Sequence, residues 1–272
     1  MKKRNIALGL AAVLGLASAA VHAQQKAEIH NGAAQPTGFF NLKGYLPQGT
    51  VPDSLLLNPP PPAAGSPAEA RDLEGAKNAV ALRGSARWAL ATRDADFMSP
   101  AATAGYSCAA GIAIGPQTTP KLDMLMQRVA RDLAGATRPT KVKYMRPRPF
   151  TVNQAPICTP DQEAVLRSDG SYPSGHSALG YGWGLVLAEA IPDRAAQLVA
   201  RGRAFGDSRR ICNVHWLSDI EEGRVVASAV VARLNAEPEF QADLAAARAE
   251  AAALADRGPG QDCAAEAALL AL

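Results

Sequence analysis

Ser208-Arg209-Arg210-Ile211-Cys212-Asn213-Val214-His215-Trp216-Leu217-Ser218-Asp219-Ile220-Glu221 is the stretch on which the reading of the fold turns. Its first residues close a helical pattern that starts at Pro192-Asp193 and carries Leu198, Val199, Gly202, Phe205 and Gly206. Its last four, Ser218 to Glu221, have the spacing of a capping box, which satisfies orphan N–H groups at a helix start. Val225, Val226, Ala229, Val230 and Leu234 continue that second helix. The segment reads as helix, loop, helix.

The same reading extends in both directions. Upstream, Ala178 to Ile191 is apolar, broken by Gly180, Gly182 and Gly184, and ended by Pro192. It falls short of the ~20 residues of a membrane span and is predicted to be a buried core helix. Lys141 to Pro160 holds four prolines and excludes a regular helix, with one helical turn at Gln162 to Leu166. A helix follows Pro120 through Leu122, Leu125, Met126, Val129, Ala130 and Leu133, stopping near Gly135. Ser99 to Thr119 reads as loop. Ala68 to Phe97 reads as one helical pattern through Leu73, Ala76, Val80, Ala81, Trp88 and Ala91. Downstream, a last helix starts after Pro238 and runs from Phe240 to about Asp256. With no strand pattern and no repeat, the fold class is all-α, a single-domain antiparallel helical bundle.

The ends add two further regions. Met1-Lys2-Lys3-Arg4, the apolar run from Ile6 to Ala20 and Val21-His22-Ala23 have the order of a secretory signal, so residues 1–23 are expected to be removed. Residues 24–70 form an extended Pro-rich arm, with Pro59 to Pro62 favouring a polyproline conformation. Phe39, Phe40, Tyr45 and Leu55 to Leu57 are its apolar anchors, expected to drape it over the helical domain of residues 71–272. The expected location is periplasmic or secreted.

The chain has 28 Lys and Arg against 25 Asp and Glu. Lys2, Lys3 and Arg4 account for the whole excess, so the processed chain is neutral and offers no case for nucleic acid or an anionic membrane. Cys108, Cys158, Cys212 and Cys263 form no Cys-x-x-Cys pair, and with so few histidines no metal site is expected. An even count in an exported protein points to disulfides, for which three pairings exist. Cys158–Cys212 is preferred because each cysteine lies near a chemistry-bearing motif, leaving Cys108–Cys263. Free thiols are the alternative.

Three segments carry chemistry: Lys141 with Arg148-Pro149, then Pro173-Ser174-Gly175-His176, then Ser208-Arg209 with His215 and Asp219. Each alone is weak. Together they suit a tetrahedral oxyanion held without metal. Lys141, Arg148 and Arg209 face a phosphate dianion as cations, Ser174 as a hydroxyl donor, and Gly175 as a backbone amide at a helix start. Asp219 can fix the tautomer of His215, leaving the other ring nitrogen free as a nucleophile. His176 can act as the acid, then activate water. Arg146 lies outside the pattern and reads as structural, Asp94 and Asp96 as an exposed helix end. Trp88, Trp183 and Trp216 read as core or pocket wall.

These three segments resemble the tripartite signature of the type 2 phosphatidic acid phosphatase superfamily, which includes vanadium haloperoxidases. Within it the chain is similar to the bacterial class A non-specific acid phosphatases. The carrying words are Tyr144-Met145-Arg146 before Arg148-Pro149-Phe150, Asp169-Gly170-Ser171-Tyr172, Ile211-Cys212 with His215-Trp216, and Pro59 to Pro62 with Ala63-Ala64-Gly65-Ser66. The Gly105–Pro120 loop and the Cys263 tail depart from that pattern. The resemblance implies a cofactor-free enzyme acting on small phosphate monoesters over a broad range, through a phosphohistidine, with phosphotransfer as a side activity. It also implies a homo-oligomer, taken as a dimer. The alternatives are a vanadium-dependent haloperoxidase and a catalytically silent phosphate-binding protein.

Overall fold

A sixteen-residue helix, mostly apolar between its first turn and Glu189, is the axis of the molecule. The computed structural model describes residues 42–270 apart from Gln48 and Pro100, so the expected signal and the anchors Phe39 and Phe40 lie outside the described residues. The helices are α1 Ser54–Leu57, α2 Pro67–Ala81, α3 Ala86–Asp94, α4 Ser107–Ala110, α5 Pro120–Ala136, α6 Arg138–Tyr144, α7 Pro149–Asn153 and α8 Glu163–Arg167. They continue as α9 Gly175–Ala190, α10 Ala195–Ile211, α11 Leu217–Leu234, α12 Pro238–Ala252 and α13 Ala264–Leu270. No strand occurs among the described residues, and none of their helices is long and apolar enough to cross a membrane.

The axis is α9, which packs against α5, α10, α11 and α12. Its interior is apolar all round because neighbours cover every side. The three glycines that interrupt the apolar run are what lets the neighbours close in. A Cβ at Gly184 would lie 2.7 Å from the Leu198 carbonyl oxygen, and one at Gly202 2.7 Å from that of Gly180. The α9–α10 contact is therefore backbone against backbone. Polar tips of the core aromatics reach carbonyls: Tyr106 Oη donates to Gly180 O (2.6 Å) and Trp183 Nε1 to Met126 O (2.6 Å).

Several expectations need correction. The pattern over Ala68–Phe97 is two helices, because Gly84 takes φ +77° and Ser85 caps α3. The buried face of α2 is Asp72, Ala76 and Ala79, while Leu73 is half exposed. In the arm, Tyr45 packs on Phe240 and the Tyr45 and Leu46 amides donate to Asp132, but Leu55 and Leu56 face solvent. Asp94 is buried, not an exposed helix end. It pairs with Arg201 and accepts from Ser208 Oγ (2.6 Å), while Asp96 is exposed. The Ser99–Thr119 loop contains α4, and α13 follows the expected last helix. The disulfides are Cys158–Cys212 and Cys108–Cys263, the second tying the segment before α13 to α4.

Gly184→Val should destabilise the protein by about 1–3 kcal/mol in denaturant unfolding, since helix backbones must separate. Gly135→Ala, where a Cβ would meet nothing within 4 Å, should leave stability unchanged or raise it by up to about 1 kcal/mol.

Candidate active site

The site is assembled by sharp turns between short helices. Lys141 lies on α6, which ends at Met145 in the left-handed region (φ 41°). The chain then runs extended through Arg148, which precedes α7. A second turn follows α10, where Asn213 takes φ 60°, a conformation Asn tolerates better than most residues. Its side chain is held by reciprocal hydrogen bonds with Asn153 (2.8 and 3.0 Å), and its carbonyl accepts from Phe150 N. Phe150, Ile157, Cys158, Ile211, Cys212 and Val214 form a small apolar cluster beneath this turn. The loop between α10 and α11 is thus pinned to α7 before it presents His215.

The helix start after that loop differs from the sequence expectation. α11 begins at Leu217, and the capping carboxylate is Asp219, whose Oδ2 accepts from Trp216 N (2.8 Å). Ser218 is drawn away: its hydroxyl donates to Asp72 Oδ2 (2.6 Å) and its amide to Asp72 Oδ1 (2.8 Å). The oxygen that caps the helix also meets His215 Nδ1 at 3.2 Å. On the other edge of the ring, Arg148 Nη1 lies 3.1 Å from His215 Nε2. A guanidinium can only donate and an ionised carboxylate can only accept. Both ends therefore demand the same tautomer, hydrogen on Nδ1 and a lone pair on Nε2. Burial, then Arg148, Lys141 and Arg209, push the imidazole well below its ordinary range. His215 is held neutral.

Around it the three cations differ in how fully they are partnered. Arg148 is satisfied largely by carbonyls, those of Leu166 (2.9 Å), Asp169 (3.1 Å) and Val214 (2.9 Å). Lys141 Nζ donates to Gly170 O and to Asp169 Oδ2 (3.3 Å), and that same carboxylate oxygen accepts from Arg148 Nη2 (3.0 Å). Arg209 is 1% exposed, and its Nε and Nη1 have no hydrogen-bond partner among the described residues. Burial, then Arg148, lower Arg209 to about 9 and Lys141 to about 8. A buried guanidinium without an acceptor calls for an anionic ligand.

Lys141, Arg148, Gly175, His176, Arg209 and His215 meet on one cavity of about 450 Å³, whose lining also includes Phe97, Val165, Leu166 and Leu179. Gly175 and His176 are the first two residues of α9, where helix N–H groups favour an anion. His176 Nε2 bonds the Ala95 carbonyl (3.0 Å), so that nitrogen carries hydrogen, and the ring lies edge-on to Phe97 at 4.4 Å. Burial, then Arg209, push its pKa well down. Ser174 and Asp219 are fully buried behind the cavity. Ser174 Oγ accepts from Ser177 N (3.2 Å) as the cap of α9, and its amide donates to Asp219 O (2.8 Å). Among the described residues no group of three or more His, Cys, Asp or Glu side chains could hold a metal ion.

Asp169, Asp72 and Arg146 belong to this neighbourhood and were not picked out as site residues from the sequence. The sequence holds a trace of Asp72, a charge four and seven residues before Ala76 and Ala79 on one helix face. Arg146 has no acid near it in sequence, and Asp169 stands out only through the resemblance.

Residues 129–236, which contain all three motif segments, match the PAP2 superfamily. The chain is 37% identical over 226 residues to an acid phosphatase of Zymomonas mobilis, covering 83% of each. It is 42% identical over 207 residues to a non-specific acid phosphatase of Salmonella typhimurium, covering 76% of this chain and 82% of that one. Against a non-specific acid phosphatase of Providencia stuartii it is 38% identical over 211 residues, covering 77% and 85%.

Asp169 presents negative charge to the two cations an anion would need. Asp169→Asn should tighten inorganic phosphate binding by about threefold or more, the scale of a partly exposed ion pair, in titration calorimetry. Unchanged or weaker binding would show that Asp169 does not compete.

Proposed function

This chain belongs to the PAP2 superfamily, among its acid phosphatases, and on that footing we propose that it hydrolyses small phosphate monoesters through a phosphohistidine on His215, without metal. The observation that carries the reading is His215 itself, buried, neutral and held with hydrogen on Nδ1 and the Nε2 lone pair turned toward Arg148 among three cations.

The dianion of a monoester supplies the acceptors that Arg209 lacks and is drawn to Lys141, Arg148 and the start of α9. Nε2 of His215 attacks phosphorus as the bond to the leaving oxygen breaks, and Asp219 offsets the charge that the ring gains. His176 gives its proton to the leaving oxygen. A water then attacks phosphorus and passes a proton to His176, the P–N bond breaks, and phosphate leaves with His215 neutral again. An alcohol in place of that water gives phosphotransfer. The cations stabilise the equatorial oxygens throughout. The partly apolar lining makes few demands on the leaving group, which suits a broad substrate range. We also take the protein to be exported after loss of residues 1–23, and to work as a homo-oligomer.

His176 has a further consequence. In the free site burial and Arg209 keep it neutral, so its proton depends on the charge that the substrate brings. The alkaline limb of kcat/KM, which reports the free enzyme, should therefore fall below the ordinary imidazole value. The alkaline limb of kcat should lie higher, because the bound dianion favours the imidazolium. Coincident limbs would contradict this role.

The direct test is p-nitrophenyl phosphate hydrolysis with EDTA throughout. Activity on the acid side, indifferent to the chelator and lowered by about 10³-fold or more in folded His215→Ala, is expected. Activity that EDTA abolishes, or that survives in the variant, overturns the reading. Halide oxidation with vanadate and peroxide, in a chain inactive on the ester, would point to a haloperoxidase.

A further inference from the structure

The carboxylate of Asp219 has a second oxygen, and that oxygen is not left to solvent. Oδ1 accepts from Arg146 Nη1 at 2.6 Å, while Oδ2 serves His215 and Trp216. Arg146 Nη1 also donates to Ser218 Oγ (2.8 Å), and Nη2 donates to Asp72 Oδ2 (2.7 Å). Asp72 closes the set by accepting from both the hydroxyl and the amide of Ser218. The guanidinium lies between the rings of Trp216 and Tyr172, 5.3 and 5.9 Å from their centroids. Side-chain exposure is 12% for Arg146, 2% for Asp72 and none for Asp219, so these charges act on one another through little water.

We propose that Arg146, anchored by Asp72, is a positioning residue for the nucleophile, and that it keeps Asp219 ionised at the acid pH where the enzyme works. The proposal rests on the reading of His215 as nucleophile. Should Asp219 take up a proton, its hydroxyl would donate to His215 Nδ1. The ring hydrogen would then have to sit on Nε2, facing the N–H of Arg148, and the attacking lone pair would be gone.

The surroundings decide which way Asp219 leans. On balance burial holds its carboxyl above the ordinary range, and Arg146 is the strongest influence limiting that rise, ahead of the Trp216 amide and of Lys141 on α6. The other charged groups near it are Arg148 before α7 and, beyond the uncharged Tyr172, Glu222 on α11. Asp72 faces Arg146 from α2. Without Arg146 the burial cost of Asp219 stands with its main opponent removed.

The experiment is the pH dependence of kcat and kcat/KM for p-nitrophenyl phosphate, with EDTA, in wild type, Arg146→Met, Arg146→Lys and Asp72→Asn. Arg146→Met should move the acid limb up by about one pH unit or more, the scale of losing an opposite charge beside a carboxylate. The rate should fall least on the alkaline side of the optimum. Arg146→Lys, which restores charge without the planar fork, should bring the limb most of the way back. Asp72→Asn loosens the same packing but leaves the guanidinium, and should not raise the limb. Should Arg146→Met not fold, Arg146→Lys still carries the test, through a smaller upward shift. An acid limb that stays in place in every folded Arg146 variant, with rates lowered equally at all pH, overturns the assignment to Arg146 alone. Inactive wild type, or full activity in His215→Ala, overturns the reading beneath it and this inference together.

Discussion

Everything in the structure answers to three cations driven into a protein interior. Lys141, Arg148 and Arg209 are each at most 8% exposed, and they surround a histidine that must stay neutral. Burying them costs free energy unless something of opposite polarity faces them. The protein meets that demand mainly with backbone: the carbonyls of Leu166, Asp169, Gly170 and Val214 converge on Arg148 and Lys141. To bring carbonyls inward the chain has to turn sharply, which is why short helices and left-handed turns at Met145 and Asn213 gather here while long helices form the core. Full compensation is withheld at Arg209, whose Nε and Nη1 have no hydrogen-bond partner among the described residues.

The long helices serve this by holding the cavity's rim rigid. α9 presents Gly175 and His176 at its first turn, and it stays in place because α10 lies against it backbone to backbone. A Cβ at Gly223 of α11 would fall 2.5 Å from the Ser174 carbonyl, so the start of α9 is gripped from a second side. The α10–α11 loop carries His215 between those two helices. Displacing any of the three would move His215 relative to His176.

Much of this could be read from the residues. The helix-loop-helix around His215, the apolar run of α9, and the joint spacing of Lys141, Arg148, His176, Arg209, His215 and Asp219 all depend on local order, which sequence records directly. What escaped depends on long-range neighbours. The glycines of α9 look like interruptions until α10 is placed beside them. Asp94 looks like a polar helix end until Arg201 and Ser208 arrive from more than a hundred residues away. Arg146 reads as structural but without a partner to name until Asp72 and Asp219 close on it from both sides. The capping box lies two residues earlier than Ser218 to Glu221 suggests, running from Trp216 to Asp219, because Asp72 draws Ser218 away from the helix start.

The central claim is that His215 Nε2 forms a bond to phosphorus. The measurement that meets it most directly is rapid mixing of enzyme with excess phosphomonoester, quenching in alkaline denaturant, where phosphohistidine survives, and locating the phosphoryl group by peptide mass spectrometry. The account expects it on His215, attached at Nε2, formed and lost at rates compatible with turnover, and missing from His215→Ala. Turnover with no phosphoryl group on the protein, or with one on a different side chain, would contradict it.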